Sequence, residues 1–233
     1  MALTGKAAVA MWWHIAADQK ADFLDWHTHE HLPERLRIPG FQRGTRWSSE
    51  DDETGFFVMY ELSDRQVLAG PAYLARLNDP TPWSVKMMPH HAGMVRSLCD
   101  VTASAGAGIG RHMLTLRISP AAEQALQLRA YLKELVATLP TRRGVTGAHL
   151  LEKADLGQVA QTQEQRIRGQ DRTADWVFLV CGHDAEPLRG LLASELAPSV
   201  LNQQGGVGAE VHADDALVAG FYGISATLSA AEV

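Results

Sequence analysis

Short apolar runs alternate along the chain with longer amphipathic stretches. "AVAMWWHI" (8–15) is brief, bulky and almost free of polar residues, which predicts a strand. Asp18 then offers an N-cap for a helix reaching His31 or Leu32. Pro33 disfavours helical geometry at the residue before it, so this helix is expected to end or kink there. After an "IPG" turn (38–40), "FQRGTRWS" (41–48) and "FFVMYEL" (56–62) read as strands joined by a polar loop. Ser63 or Asp64 can cap a second helix, "RQVLAGPAYLARLND", interrupted at Gly70-Pro71. "PTPW" (80–83) and "MMPHH" (87–91) read as loops, "MVRSLCDVT" (94–102) as a fourth strand, and "ASAGAGIG" (103–110) as a small-residue linker.

The order β-α-β-β-α-β is the ferredoxin-like arrangement, four antiparallel strands with two helices on one face. The pattern then restarts. "RHMLTLRIS" is a strand, and Pro120 is placed to open the helix "AAEQALQLRAYLKELVATL". "GVTGAHLLE" and "DWVFLVCGHD" are strands, "AEPLRGLLASELAPSVL" is a helix, and "GAEVHADDALVAGFYGI" is late strand material. A polar insertion, 154–174, lengthens the second copy. The strands lack clean polar alternation, as in sheets covered on both faces. The expectation is therefore an α+β fold. Two ferredoxin-like repeats, 1–105 and 106–233, are fused in one chain and pack their sheets face to face as an α+β barrel.

The stretch "WHTHEHLPERLRIPGF" (26–41) holds the candidate chemistry. At 100° per residue, Phe23, Leu24 and Trp26 mark an apolar stripe. His27, Glu30 and His31 fall inside it, whereas Asp22, Asp25 and His29 face solvent. Inward polar groups need partners, or each costs roughly 1–3 kcal/mol. One reading is a structural His/Glu/Arg network. The other is a site beside a hollow, with His31 as acid/base, His27 in support and Glu30 setting an imidazole tautomer. Arg43 and Arg46 lie on opposite faces of one strand, and either could bind a carboxylate or enolate oxygen. Tyr60, Trp12, His14 and Trp83 complete the candidate ligand-binding set. His27 and His31, at i and i+4, could share a metal only with a third ligand such as His14, His90 or His91. "HTHEH" is not H-E-x-x-H, so no metal is expected; the sequence shows no dedicated cofactor motif either, and the expectation is no cofactor. The corresponding helix of the second half ends "VATLPTRRGV" and carries no such cluster.

Composition adds limits. A net charge of −6 without a basic block speaks against nucleic acid and anionic membrane as partners. The stretch after Lys6 lacks a clean cleavage site, no run of about 18 apolar residues occurs, and the two cysteines stand far apart. The expected location is the cytoplasm.

"DWHTHEHLPERLRIPGF", with "PTPW" and "ASAGAGIG", resembles uncharacterised bacterial members of the dimeric α+β barrel superfamily, near the EthD-like proteins. Trp26, His31, Pro33 and Pro39-Gly40 carry the likeness over roughly residues 8–106. It implies a barrel that usually forms from two chains and is fused here, with a homodimer optional. It also implies a range of chemistries: cofactor-free monooxygenases, isomerases and cyclases of small organic acids, and haem enzymes. Three readings follow. The first is a small, apolar or aromatic organic ligand held between sheet and helices, with His-based isomerase, lyase or cofactor-free oxygenase chemistry. The second is a non-catalytic binding or stress-associated barrel. The third is a metal- or haem-dependent enzyme.

Overall fold

The structure is a computed structural model that describes residues 3–155, 157, 162–169, 171–206 and 218–233. In chain order the elements begin with β1 (Ala7–His14), α1 (Lys20–Trp26), a π-turn (His27–His31) and α2 (Leu32–Leu36). They continue with β2 (Phe41–Ser49), β3 (Gly55–Leu62), α3 (Pro71–Asn78), α4 (Pro82–Met87) and β4 (Ala92–Gly106). Then follow β5 (His112–Ile118), α5 (Ala125–Thr138), β6 (Val145–Lys153), α6 (Gln163–Arg168) and β7 (Trp176–Gly182). The last are α7 (Ala185–Gly190), α8 (Pro198–Gln203) and β8 (Val218–Ser229). Hydrogen bonding orders the strands β1-β3-β2-β8-β5-β7-β6-β4 and closes from β4 back onto β1.

The chain divides into two compact units. The N-terminal unit comprises Thr4–Asp100, Ala154–Thr173 and Ser225–Val233. In it β1 pairs antiparallel with both β3 and β4, and β2 pairs with β3. Strand periodicity sends Val9, Met11 and Trp13 to one face, with Phe56, Val58, Tyr60 and Leu62 beside them. That face packs on Phe23, Trp26, Leu32, Leu36, Tyr73, Leu77 and Met87 of the helices. The opposite face carries a stack of Trp12 on Phe57 (4.9 Å) and Phe57 on Trp47 (5.1 Å). The C-terminal unit comprises Met1–Leu3, Val101–Lys153 and Ala174–Ile224. There β5 lies between β7 and β8, and β6 pairs with β7. Leu128, Leu132 and Leu135 of α5 cover Leu114, Leu116, Phe178 and Val180.

Several expectations are corrected. The first helix does not end before Pro33. It widens into the π-turn, where the Leu32 N–H reaches the His27 carbonyl, and continues to Leu36. The wider turn accommodates a proline that lacks an N–H and would crowd the carbonyl four residues back in an α-helix. "PTPW" is a helix start: Thr81 accepts from the Ser84 N–H, and Pro82 occupies the first turn. Residues 103–106 of the supposed linker continue β4. Gly106, at φ +115°, lets that strand approach the Thr146 carbonyl where a Cβ would meet it at 2.2 Å. Pro120 does not open α5. It bridges to Gly206, and the helix starts at Ala125. Of the late strand material, 208–217 lies outside the described residues, whereas 218–224 belongs to β8.

Candidate functional site

The histidines sit on the π-turn, where each residue advances by less than the α-helical 100°. His27 becomes fully buried, 5.4 Å from the Phe23 ring and 5.6 Å from His31. His31 lies against Trp26 at 4.4 Å, with its side chain 12% exposed. His29 is exposed. Burial holds both inner imidazoles well below their usual pKa, with Arg46 next in effect at His27 and Arg35 at His31. Each is therefore neutral near pH 7. The Nδ1 atoms of both are buried without a hydrogen-bond partner.

A third ring, His91, which the sequence offered only as a possible metal ligand, lies 5.7 Å from both Phe23 and Trp26. His91 Nδ1 faces the carbonyls of Met87 (3.2 Å) and Met88 (3.1 Å). Carbonyls only accept, so Nδ1 carries the proton and Nε2 keeps its lone pair. Burial, with Arg168, pushes this pKa down to about 3.

Glu30 does not set a histidine tautomer through Oε1. That oxygen accepts from the Thr81 hydroxyl (2.5 Å) and the Trp26 indole N–H (3.2 Å), tying the π-turn to the start of α4. Arg46 is buried on the helix-covered face and donates to the Leu24 carbonyl, Thr28 and Ser225. Arg43, on the other face, pairs with Glu61 at 2.6 Å. Both arginines thus have structural partners. His14 stands at an exposed hairpin, 2.9 Å from Asp52 and 3.1 Å from Thr54, away from the cluster. Trp12 lies on the sheet face opposite the histidines, and Trp83 packs half-buried against the core. Of the proposed ligand-binding side chains, Tyr60 is the one that shares a cavity with His31.

That cavity is a chamber of about 40 Å³ on the helix-covered face of the sheet. His31 and Arg35 enter it from the first helix, Tyr60 from β3, Tyr73 from α3, Arg96 from β4, and Glu164 and Arg168 from α6. Arg35 and Glu164 form a buried ion pair. Arg96 donates to the Tyr73 hydroxyl at 2.6 Å, and Arg168 pairs with Asp171. Arg35 Nη1 and the Tyr60 hydroxyl are buried and unpartnered, like His31 Nδ1. Burial raises the Tyr60 pKa, so its hydroxyl stays a donor. Gly44 makes room for this ring: a Cβ there would meet Tyr60 at 2.9 Å and Leu32 at 2.7 Å.

A wider groove of about 560 Å³ opens beside α2 and α3, with Ile38, Pro39, Ala72 and Ala75 among its walls. Glu34 also lines it. Its Oε1 is held by Arg76 at 2.9 Å, while Oε2 stands 3.9 Å from both His31 Nδ1 and Arg35 Nη1. Glu34 thus borders the groove and stands near two residues that line the chamber.

A haem macrocycle does not fit a 40 Å³ chamber. Among the described residues, no three His, Cys, Asp or Glu side chains gather as a metal site.

Two signals for the overlooked residues were present in the sequence. Arg35 stands four residues after His31, on the same helical face. Arg96 interrupts the apolar alternation of Met94 and Leu98.

No protein-family profile matches the chain, and no curated protein matches it by sequence. Solved structures do match. An anthrone oxidase-like protein superposes with a TM-score of 0.66 at 10% identity, over 100% of this chain and 97% of that one. A candidate monooxygenase from Fusobacterium nucleatum gives 0.61 at 10% identity, over 97% and 96%. Another, from Lactobacillus acidophilus, gives 0.57 at 7% identity, over 97% of each chain. The shared fold is ferredoxin-like α+β. At these identities the likeness concerns the fold alone.

Proposed function

We propose that the N-terminal unit binds a small organic molecule and that His31 exchanges a proton with it. One observation carries this reading. His31 Nδ1, Arg35 Nη1 and the Tyr60 hydroxyl are three buried, unpartnered polar atoms on residues lining a single chamber. A purely structural network closes its hydrogen bonds, because each open one costs roughly 1–3 kcal/mol. Three open together are what a site prepared for a ligand's polar end requires.

The body of the molecule, apolar or aromatic, lies in the groove, and its reacting end passes Glu34 to reach His31. Neutral His31 acts as the base, His27 backs it within the aromatic wall, and the Arg35 and Tyr60 donors steady developing negative charge. Isomerase or lyase chemistry is the first reading. Cofactor-free oxygenation is the second; two of the neighbours are named as an anthrone oxidase-like protein and a candidate monooxygenase. The EthD-like pattern of Trp26, His31, Pro33 and Pro39-Gly40 fits either. The protein is taken to act in the cytoplasm, without a cofactor and with homodimerisation optional.

The test is deuterium uptake from solvent by a panel of enolisable ketones and activated phenols, followed by proton NMR. Wild type should label at least one C–H, and His31→Gln should slow that labelling by about 100-fold or more. Labelling at an unchanged rate in the variant would remove the acid/base role.

A further inference from the structure

We propose that the chamber beneath α6 is a carboxylate pocket, taking the three-atom monoanionic end of an organic acid through Arg96, Arg35 and Tyr60. The inference rests on reading this chamber as the reacting end of a ligand site, and it names the class of ligand.

Size comes first. A water needs roughly 10–15 Å³ of such space, so a chamber of about 40 Å³ takes about three heavy atoms. A carboxylate group has that number. A phosphate or sulfate group is larger and brings a second negative charge.

Charge comes second. Three arginines and one acid line the chamber. Glu164 is taken by Arg35, and Arg168 has Asp171. Arg96 makes no ion pair among the described residues; its guanidinium reaches the Tyr73 hydroxyl. The chamber therefore keeps one formal positive charge in excess, which selects a monoanion over a neutral amide or alcohol.

Hydrogen bonding comes third. Arg35 Nη1 can only donate, and the Tyr60 hydroxyl has a proton to give; both are buried and unpartnered. The Tyr60 residue is 2% exposed. The one acid near the free Arg35 nitrogen from the groove side, Glu34, stands 3.9 Å away, beyond hydrogen-bonding distance. The donors thus await acceptor oxygens that the protein itself does not supply.

The experiment is titration of the full chain at pH 7 and fixed ionic strength with formate, acetate, acetamide and inorganic phosphate. Calorimetry and imidazole nitrogen NMR provide the readouts. Formate and acetate should saturate, at least about tenfold more tightly than acetamide or phosphate. Arg96→Gln and Tyr60→Phe should each weaken acetate by about fivefold or more, while the exposed control Arg65→Gln should not. Tyr60→Phe preserves ring shape, so its result stands even if Arg96→Gln folds poorly. Equal binding of acetate and acetamide would overturn the proposal, as would acetate binding insensitive to Tyr60→Phe or no saturation by about 100 mM acetate. The two readings separate cleanly. Acetate binding that leaves the His31 nitrogens unmoved supports the pocket and removes the proton-exchange role. His31-dependent labelling without acetate binding overturns the pocket alone.

Discussion

Tyr60 shows in one side chain how the proposed ligand site would conflict with stability. Its ring packs at 5.6 Å against Phe41, while its hydroxyl is buried with nothing to bond. Removing that oxygen discards a desolvation penalty and leaves the packing intact. Tyr60→Phe should therefore stabilise the free protein by about 1 kcal/mol, read as a higher urea midpoint at unchanged m-value. A loss of stability would show that the hydroxyl is satisfied in the folded state. Much at this scale was legible: the inward face of His27 and His31, the wet His29, and the opposed faces of Arg43 and Arg46. What was not legible depended on partners remote in sequence. Glu30 is claimed by Thr81 and Arg46 by Ser225, pairings that no local spacing announces.

At the scale of elements, α6 is the unexpected contributor. The insertion carrying it looks like a polar excursion. Yet Thr162 and Gln165 form a capping box, and Glu164 is buried on Arg35. Breaking a buried ion pair strands its partner charge, typically at a cost of 3–5 kcal/mol. Glu164→Gln should therefore destabilise by about 3 kcal/mol, and Arg35→Met combined with Glu164→Leu should recover most of that loss. Urea denaturation of the single and double variants checks this; a single-variant cost under about 1 kcal/mol would mean the pair is not sealed from solvent. The strands were readable because bulky apolar runs bounded by turn residues leave little choice. Helix ends were less so, since Pro33 stops an α-helix yet is tolerated after a π-turn, a distinction set by hydrogen bonding that residue type does not reveal. The strand character of 103–106 was hidden for a related reason: small residues suit a flexible linker and a close strand approach alike.

For the whole molecule, the α+β class and the barrel followed from the succession of elements. The assignment of 154–173 and 225–233 to the N-terminal unit did not, because both are distant in sequence from the strands they join. The histidines give the entire protein a pH signature. His27, His31 and His91 have folded pKa values below the unfolded value of about 6.5. Below that value the unfolded chain binds protons that the folded chain refuses. Stability is thus fully present above about pH 6.5 and is lost as pH falls, by about 1.4 kcal/mol per pH unit for each imidazole kept neutral. Urea midpoints should decline between about pH 6.5 and 5, before ordinary carboxylates titrate, and His91→Gln should make that decline shallower. A flat profile over this interval would mean that the rings are protonated in the fold.

The π-turn has a consequence for descent and design. It is an α-helix with one residue to spare, so losing any single position from 27–31 would let the backbone relax into a regular helix. The surrounding sheet and the helix after the turn could remain as they are, while the shortened stretch presents a different set of side chains inward. On the proposed function, a one-codon deletion inside this turn would be enough to take the site apart while the barrel around it stays closed.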